Sequence, residues 1–428
     1  MAPERAGEIA ASLDLRSLPA DFYDNPYPVY AALREREPLR RMPDGSVLLT
    51  RHADLVAVYR DAQSFSSDKK AEFGPKYNQP PHGSEARPAP LFEHHTTSLV
   101  FNDPPLHTRV RRLIMGALTR RAIADMETGL VELVDRLLDA LEARGGGDLI
   151  EDFAAAIPVE IIGNLLGVPH ADRGPLRDWS LAILGALEPR LSPEQEALGN
   201  RSVAEFTAYL RELVADRRRH PGDPRHDVLT RLIHGDGDGE EAATLSEAEL
   251  LQNCVFILNA GHETTTNLIG NALVALQEWP AQKAWLIGAL QRTDDDTRTT
   301  LLDTAVDEFL RFESSNQLGN RRAARDVTVG GTSLPAGTLV TLCIGAANRD
   351  PAQFADPERL DLARADNRHL AFGFGIHQCA GLSLARLEGR VAIGRFLQRF
   401  PDYRLTAPPL RGGRARFRGF LAAPFATT

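Results

Sequence analysis

The chain has 428 residues, of which 43% are hydrophobic and 25% charged, so it can bury a large core and is neither fibrous nor intrinsically disordered. Its formal net charge of -9 argues against general nucleic-acid binding, which requires a basic surface. The N-terminal stretch MAPERAGEIAASLDL has no apolar core of signal-peptide length, and no later stretch reaches about 18 uninterrupted apolar residues. We therefore expect a cytoplasmic protein without a membrane segment.

The first half of the chain combines a small β region with helices. Residues 1–20 are expected to be flexible, ahead of a single domain over 21–428. Asp44 and Gly45 separate two extended runs, which predicts a hairpin. Residues 68–105 are rich in Pro, Gly and His without a sustained period and are predicted to form a long loop, whereas 105–219 have helical periodicity.

The second half contains one long helix that is marked at both ends. Ser246 and Glu249 form a capping box, and Pro280 ends the helix near Trp279. A further helix is predicted over 300–313, alternating strands follow it, and a last helix begins after Cys379. The chain is therefore predicted to be mainly α with small β-sheets.

Cysteine usage singles out one residue. The three cysteines, Cys254, Cys343 and Cys379, are far apart and form no CxxC pair, which argues against a disulfide framework or a structural zinc site. Cys379 lies in FGFGIHQCAG, where glycines allow close approach to a flat cofactor and the start of a helix favours a thiolate. A lone cysteine in such a turn is otherwise most often a small buried hydrophobe.

The complete FGxGxHxCxG pattern resembles that of the bacterial cytochrome P-450 family of haem-thiolate monooxygenases. The resemblance implies a triangular helical prism with haem b between a long distal helix and the helix after the cysteine loop. It implies that Cys379 is the axial iron ligand, that Phe372 packs beside it and that His377 contacts a haem propionate. The resemblance also implies that Gly373 and Gly381 contact the haem.

Four further motifs match the family in order. In NAGHETTT, Ala260 and Gly261 would lie close to the haem, with Gly261 allowing the helix to approach the ring, while Glu263 and Thr264 would deliver protons. Taken alone, this stretch could be a polar interruption of an amphipathic helix. Asn259, the first residue of this stretch, is a candidate to orient a polar substrate group, as are Gln317 and Asn320, although each could equally hydrogen-bond backbone.

Two groups of charged residues also match the family. Glu308 and Arg311 are spaced to pair on one helix face, although such pairs are common on surfaces. The resemblance adds Arg359 to them as a buried structural network. It assigns haem-propionate contacts to His107, Arg111 and Arg321, with the adjacent Arg322 as an alternative to Arg321.

The resemblance predicts a monooxygenase that uses O2 and two electrons from a ferredoxin, which an NAD(P)H-dependent ferredoxin reductase supplies. The substrate would be a small, largely apolar molecule. The candidate pocket residues are Leu99, Val255, Leu258, Asn259, Leu318, Phe420 and Leu421. An acidic ferredoxin would dock on a basic patch, unless its arginines pair with neighbouring carboxylates; the patch would comprise Arg109, Arg112, Arg386 and Arg390.

Two groups of alternatives remain. A peroxide-driven or oxidative-coupling enzyme could use the same scaffold, although Glu263 and Thr264 favour O2 activation. A non-catalytic haem sensor would need the ligand cysteine but no acid and alcohol on the distal side.

Overall fold

The computed structural model describes residues 1–77, 88–224, 227–235 and 244–427, which are mainly α-helical. In chain order the helices are α1 (Pro3–Ala11), α2 (Ala20–Asp24), α3 (Tyr27–Arg36), α4 (His52–Arg60), α5 (Lys70–Lys76), α6 (Pro90–Thr97), α7 (Leu106–Ala117), α8 (Arg120–Arg144), α9 (Ala156–Leu166), α10 (Leu176–Gly185), α11 (Pro193–Arg219), α12 (Val228–His234), α13 (Glu247–Glu278), α14 (Pro280–Arg292), α15 (Asp295–Phe312), α16 (Ile344–Ala347) and α17 (Leu382–Arg399). None of the helices in these ranges is long and apolar enough to cross a membrane.

The described residues also contain short β-strands. They are β1 (Leu39–Arg41), β2 (Val47–Leu49), β3 (Phe65–Ser66), β4 (Gly146–Asp148), β5 (Leu318–Ala323), β6 (Val327–Val329), β7 (Thr332–Leu334), β8 (Leu339–Cys343), β9 (Arg404–Leu405), β10 (Leu410–Arg411), β11 (Phe420–Ala422) and β12 (Pro424–Ala426). The predicted hairpin is β1–β2, in which Leu39 pairs with Leu49. Strand β8 joins β2 in parallel and β5 antiparallel, so the largest sheet contains the order β1-β2-β8-β5.

The chain divides into two compact units. The first comprises Met1–Phe65, Glu127–Ile157 and Thr264–Thr428 and includes the sheets and α15 to α17; the second comprises Ser66–Met126 and Pro158–Glu263. Helix α13 runs from the second unit into the first. The predicted boundary of a single domain at residue 21 stays a prediction.

The predicted long helix is α13. Ser246 accepts a hydrogen bond from the Glu249 amide, while the Glu249 carboxylate accepts one from the Ser246 amide, so the capping box is present. Pro280 opens α14 two residues after α13 ends, as a residue without an amide hydrogen can at a helix start.

One expectation about local order is wrong: the stretch 68–105 is not one long loop, since it contains α5 and α6; residues 78–87 lie outside the described part. Residues 1–20 include α1, which places Ala6, Ile9 and Ala10 in a buried cluster with residues of α3. The expected flexibility of this segment stays a prediction. The helices in both segments are stabilised by packing of their apolar side chains against other parts of the chain, and a local sequence pattern does not show that packing.

Candidate active site

The loop before α17 is closed tightly around Cys379. The Cys379 amide donates to the Phe372 carbonyl at 2.9 Å, and Gly373 and Gly375 have φ angles of +64° and +71°. A Cβ built on Gly375 would collide with the carbonyl oxygen of Tyr59, so glycine is needed there for both backbone conformation and space. Cys379 thus lies two residues before Gly381, the N-cap of α17.

Accessibility distinguishes Cys379 from the other two cysteines. Cys254 and Cys343 are completely buried, and burial raises the pKa of each thiol to about 12. Cys379 is only half-buried and lies beside the positive end of an 18-residue helix, where a thiolate is favoured. It is therefore the cysteine whose sulfur can serve as a ligand.

A buried ion pair anchors this loop through Asn348. Arg311 binds Glu308 with two hydrogen bonds of 2.7 and 2.8 Å, and both side chains are completely buried. Arg311 also donates to the Asn348 carbonyl, while the Asn348 side chain accepts a hydrogen bond from the Leu370 amide at 2.7 Å. The predicted pair exists, and it holds the chain two residues before Phe372.

The predicted third member of this network is wrong. The exposed Arg359 contributes only its backbone carbonyl, which accepts a hydrogen bond from Arg311. The side chain that reaches Glu308 belongs to Arg364, whose Nε donates to Oε2 at 3.0 Å, and Asn367 donates to the same oxygen at 3.2 Å. The irregular path of residues 350–370 brings Arg364 inward, and sequence spacing does not encode that path.

A second, half-buried polar cluster contacts the loop at His369 and Phe372. His369 contacts Asp307 through Nε2 at 3.3 Å, and its Nδ1 accepts from the Ala371 amide, which places the ring proton on Nε2. Arg386 of α17 also binds Asp307 at 2.8 Å and lies over the ring of Phe372. Burial raises the pKa of Asp307, but the hydrogen bonds from His369 and Arg386 outweigh it and lower the pKa overall.

Helix α13 carries the predicted distal residues on two different faces. Ala260 is exposed and Gly261 and Thr264 are half-buried, which defines one accessible side at three- and four-residue spacing. Glu263 is buried with 5% of its surface exposed. The backbone carbonyl of Thr264 accepts a hydrogen bond from Ser315 at 2.8 Å, and this bond ties the helix to the segment after α15.

Gly261 has a packing role in this structure. A Cβ built on this glycine would collide with Cδ1 of Ile162, a buried residue of α9. The missing side chain therefore lets α9 pack against α13, and the contact of Gly261 with haem stays a prediction. The accessible position beside it is Ala260.

Basic and imidazole side chains suited to carboxylates occur in both units. In the second unit His107 is buried and Arg111 follows one helical turn later on the same face of α7. In the first unit Arg321 of β5 is buried, lies over the ring of Tyr59 and donates to the Asn320 carbonyl at 2.8 Å, whereas Arg322 is half-buried. Such side chains can bind carboxylates through charge-assisted hydrogen bonds, and His377 lies two residues before Cys379.

The predicted pocket residues have different environments. Leu318 packs in the core cluster that contains Leu33 and Cys343, and its place in the pocket stays a prediction. Leu99, Val255, Leu258, Asn259 and Phe420 are buried, while Leu421 is 43% exposed. Gln317 donates to the Ser314 carbonyl at 2.7 Å, which matches the backbone-bonding alternative.

Sequence reasoning missed three residues. Ile257 is half-buried and lies one turn before the accessible Ala260, so its helical spacing could have identified it. His94 bonds to Asn259, and Arg364 bonds to Glu308. No sequence signal could have found these two, because each contact joins segments far apart in the chain.

Most arginines of the expected basic patch are ion-paired. Arg109 binds Glu249 at 2.5 Å, and Arg386 binds Asp307. Arg390 binds Glu127 at 3.1 Å and Asp303 at 3.4 Å. For these three arginines the alternative of pairing with neighbouring carboxylates is observed.

Known proteins of one family are similar to this chain in both sequence and structure. A family model described as Cytochrome P450 matches residues 184–410. The vitamin D(3) 25-hydroxylase of Pseudonocardia autotrophica is 37% identical over 90% of this chain and 89% of its own length, and the cytochrome P450 monooxygenase PikC of Streptomyces venezuelae is 36% identical over 93% and 89%. The crystal structure of P450BioI with a fatty-acyl carrier protein superposes with a TM-score of 0.85, at 31% identity, over 95% of this chain and all of that chain.

Proposed function

Since the chain belongs to the cytochrome P450 family of haem-thiolate monooxygenases, we propose that Cys379 holds the iron of a b-type haem and that the enzyme inserts one oxygen atom from O2 into a small, largely apolar molecule. The accessible thiol of Cys379, beside the start of α17, is the observation that carries this proposal. A thiolate ligand donates electron density to iron and thereby favours cleavage of the O–O bond.

The haem would be held by hydrogen-bond donors and by small and aromatic residues of the site. His107, Arg111, Arg321 and His377 would bind its propionates through charge-assisted hydrogen bonds. Phe372, Gly373 and Gly381 would line the cysteine side, with Ala260 and Gly261 on the oxygen side. When bound, the haem supplies the redox chemistry that activates O2.

Glu263 and Thr264 are proposed to deliver protons. Glu263 is buried and Thr264 lies on the accessible side of α13. These two adjacent residues therefore connect the buried side of the helix to its accessible side, where the reaction would take place. Glu263 would supply the proton and the Thr264 hydroxyl would position its transfer. Both side chains favour O2 activation over a reaction driven by peroxide alone.

We propose that electrons come from an acidic ferredoxin, which an NAD(P)H-dependent reductase reduces in the cytoplasm. On the second unit, Arg112 and Met115 are exposed on α7, and Arg120 and Arg121 are exposed at the start of α8. We call these three arginines and the methionine between them the α7–α8 basic surface. Complementary charge on such a surface mainly raises the rate of association.

The relatives support an apolar substrate. One is named for vitamin D(3), and the acyl carrier protein bound to P450BioI bears hexadec-9Z-enoic acid, so both molecules are mostly hydrocarbon. The buried Leu99, Val255, Leu258 and Phe420 of this chain are candidates to surround a molecule of that kind.

The test is the spectrum of the reduced protein with carbon monoxide. The wild type should show the long-wavelength Soret band of a thiolate-ligated haem, and Cys379→Ala should lose it. Cys254→Ala and Cys343→Ala are matched controls that should keep the band, because these thiols are buried. A Cys379→Ala protein that retains the band overturns the ligand assignment, and the pyridine haemochrome spectrum tests haem type b.

A further inference from the structure

A buried polar cluster in the second unit joins α6 to α13. It consists of His94 and Ser98 on one side and Gln252 and Asn259 on the other, and we call it the His94 cluster. Nδ1 of His94 lies 3.1 Å from Oε1 of Gln252 and 3.2 Å from Oγ of Ser98, while Nε2 lies 3.2 Å from Nδ2 of Asn259. All four residues are at most 2% exposed.

The hydrogen bonds in this cluster determine where the His94 proton lies. Ser98 donates its only hydroxyl hydrogen to the His94 carbonyl at 2.6 Å, so its oxygen can only accept from Nδ1. Oε1 of Gln252 is also an acceptor. Nδ1 therefore carries the hydrogen, and burial keeps the ring neutral by lowering the pKa of His94 to about 4.

The His94 tautomer sets the orientation of Asn259. With its hydrogen on Nδ1, the ring presents an acceptor at Nε2, and the Asn259 amide group must donate to it. The Asn259 carbonyl oxygen, Oδ1, is then directed away from His94. It is buried and accepts no hydrogen bond from any residue in the described part of the chain. A buried acceptor without a donor is unfavourable, so a donor group on a bound molecule would stabilise this oxygen.

Asn259 lies on the buried side of α13, next to the accessible side that Ala260 and Thr264 define. It directly precedes the exposed Ala260 and lies five residues before Thr264, or about 7.5 Å along the helix axis. It shares a helix face with Glu263, four residues later. An oxygen fixed at this position can orient a substrate whose hydrocarbon part lies against the apolar residues of the same helix.

We propose that Asn259 selects substrates that carry a hydroxyl or amide N–H group, which donates a hydrogen bond to its Oδ1, and that His94 is the positioning residue that keeps this oxygen available. The proposal rests on the proposed monooxygenase function and adds the class of substrate. A carbonyl group at the same place would face another acceptor and would be rejected, as polar sites reject analogues that leave them unpaired.

The experiment measures binding of matched alcohols and ketones by the spin-state shift of the ferric Soret band. The probes are borneol and camphor, cyclododecanol and cyclododecanone, and testosterone and androst-4-ene-3,17-dione. Within each pair the shape is nearly constant and only the hydrogen-bond donor changes. The wild type should bind the alcohol more tightly in at least one pair, by about 5- to 100-fold.

Three variants separate recognition from folding. Asn259→Leu should abolish the alcohol preference, and His94→Phe should reduce or reverse it, because the Asn259 amide can then turn its nitrogen outward. Asn253→Ala is the matched control on the same helix. Its amide is satisfied by the Glu249 carbonyl and the Leu99 amide, so its loss should leave the preference unchanged.

Equal alcohol preference in wild type and Asn259→Leu overturns the proposal, and so does a wild type that binds all three ketones as tightly as the alcohols or binds none of the six compounds. The reduced carbon monoxide spectrum is recorded on the same samples. Its thiolate band tests the proposed function separately, so loss of that band and loss of the alcohol preference are distinguishable failures.

Discussion

Arg364 donates its Nε–H to Oε2 of Glu308 at 3.0 Å and joins the buried pair that Glu308 forms with Arg311. Removing Arg364 leaves Oε2 of the buried Glu308 with hydrogen bonds from Arg311 and Asn367 but without one of its two cationic partners. Arg364→Ala should therefore lower the free energy of unfolding by about 2–3 kcal/mol, as loss of a hydrogen bond to a charged group does. Arg359→Ala should change it by less than about 0.5 kcal/mol, because that side chain is exposed.

Urea unfolding of both haem-loaded variants, followed by circular dichroism, checks this difference. Arg364→Ala should also release haem at a lower urea concentration, since Arg311 connects Glu308 to the cysteine loop through Asn348. If Arg359→Ala proved the more damaging change, the corrected network would be wrong.

The buried carboxyl group of Glu388 in α17 should make the protein less stable as pH rises. Burial raises its pKa to about 8, and its Oε2 accepts no hydrogen bond within the described residues. The unfolded chain ionises this carboxyl near its ordinary pKa of 4.5 while the folded chain keeps it protonated, so stability falls as pH rises from about 4.5 to 8.

Glu388→Gln keeps the shape of the side chain and cannot ionise. The variant should be more stable than wild type at pH 8.5, by at most about 5 kcal/mol, and nearly equal to it at pH 5. Unfolding midpoints at the two pH values provide the measurement. A constant difference between the proteins at both values would show that Glu388 does not titrate in this way.

Thr264 lies on the accessible side of α13, and its hydroxyl is proposed to position proton transfer. Thr264→Ala should bind substrate normally and consume NADH, but product formed per NADH should fall at least about tenfold, with hydrogen peroxide released instead. Thr264→Ser keeps the hydroxyl and should restore most of the coupling. Equal coupling in all three proteins would rule out the role.

The α7–α8 basic surface predicts a salt-dependent effect of Arg112, which is exposed. Arg112→Glu should slow the first electron transfer from the ferredoxin at low ionic strength, and the difference should shrink as salt screens the charges. Arg136→Glu changes net charge equally at an exposed position of α8, 16 residues beyond Arg120. Stopped-flow reduction rates that match for the two variants would place the docking surface elsewhere.

The local parts of the site could be predicted from sequence alone. The capping box of Ser246 and Glu249, the stop at Pro280 and the helix after Cys379 all depend on residues within a few positions of one another. The Glu308–Arg311 pair belongs to the same class, because three residues along a helix bring two side chains to one face. Such features follow from backbone geometry and side-chain chemistry that each stretch carries by itself.

Only the tertiary structure decided the contacts between distant segments. Arg364 binds Glu308, where Arg359 was expected. Ile162 occupies the space that a side chain on Gly261 would need, and Leu318 packs in the core. The tertiary structure also brought His94 to Asn259, 165 positions apart in the chain. Irregular segments such as 350–370 have no repeating geometry, so the side chains they turn inward are selected by packing and by the need of buried polar groups for partners.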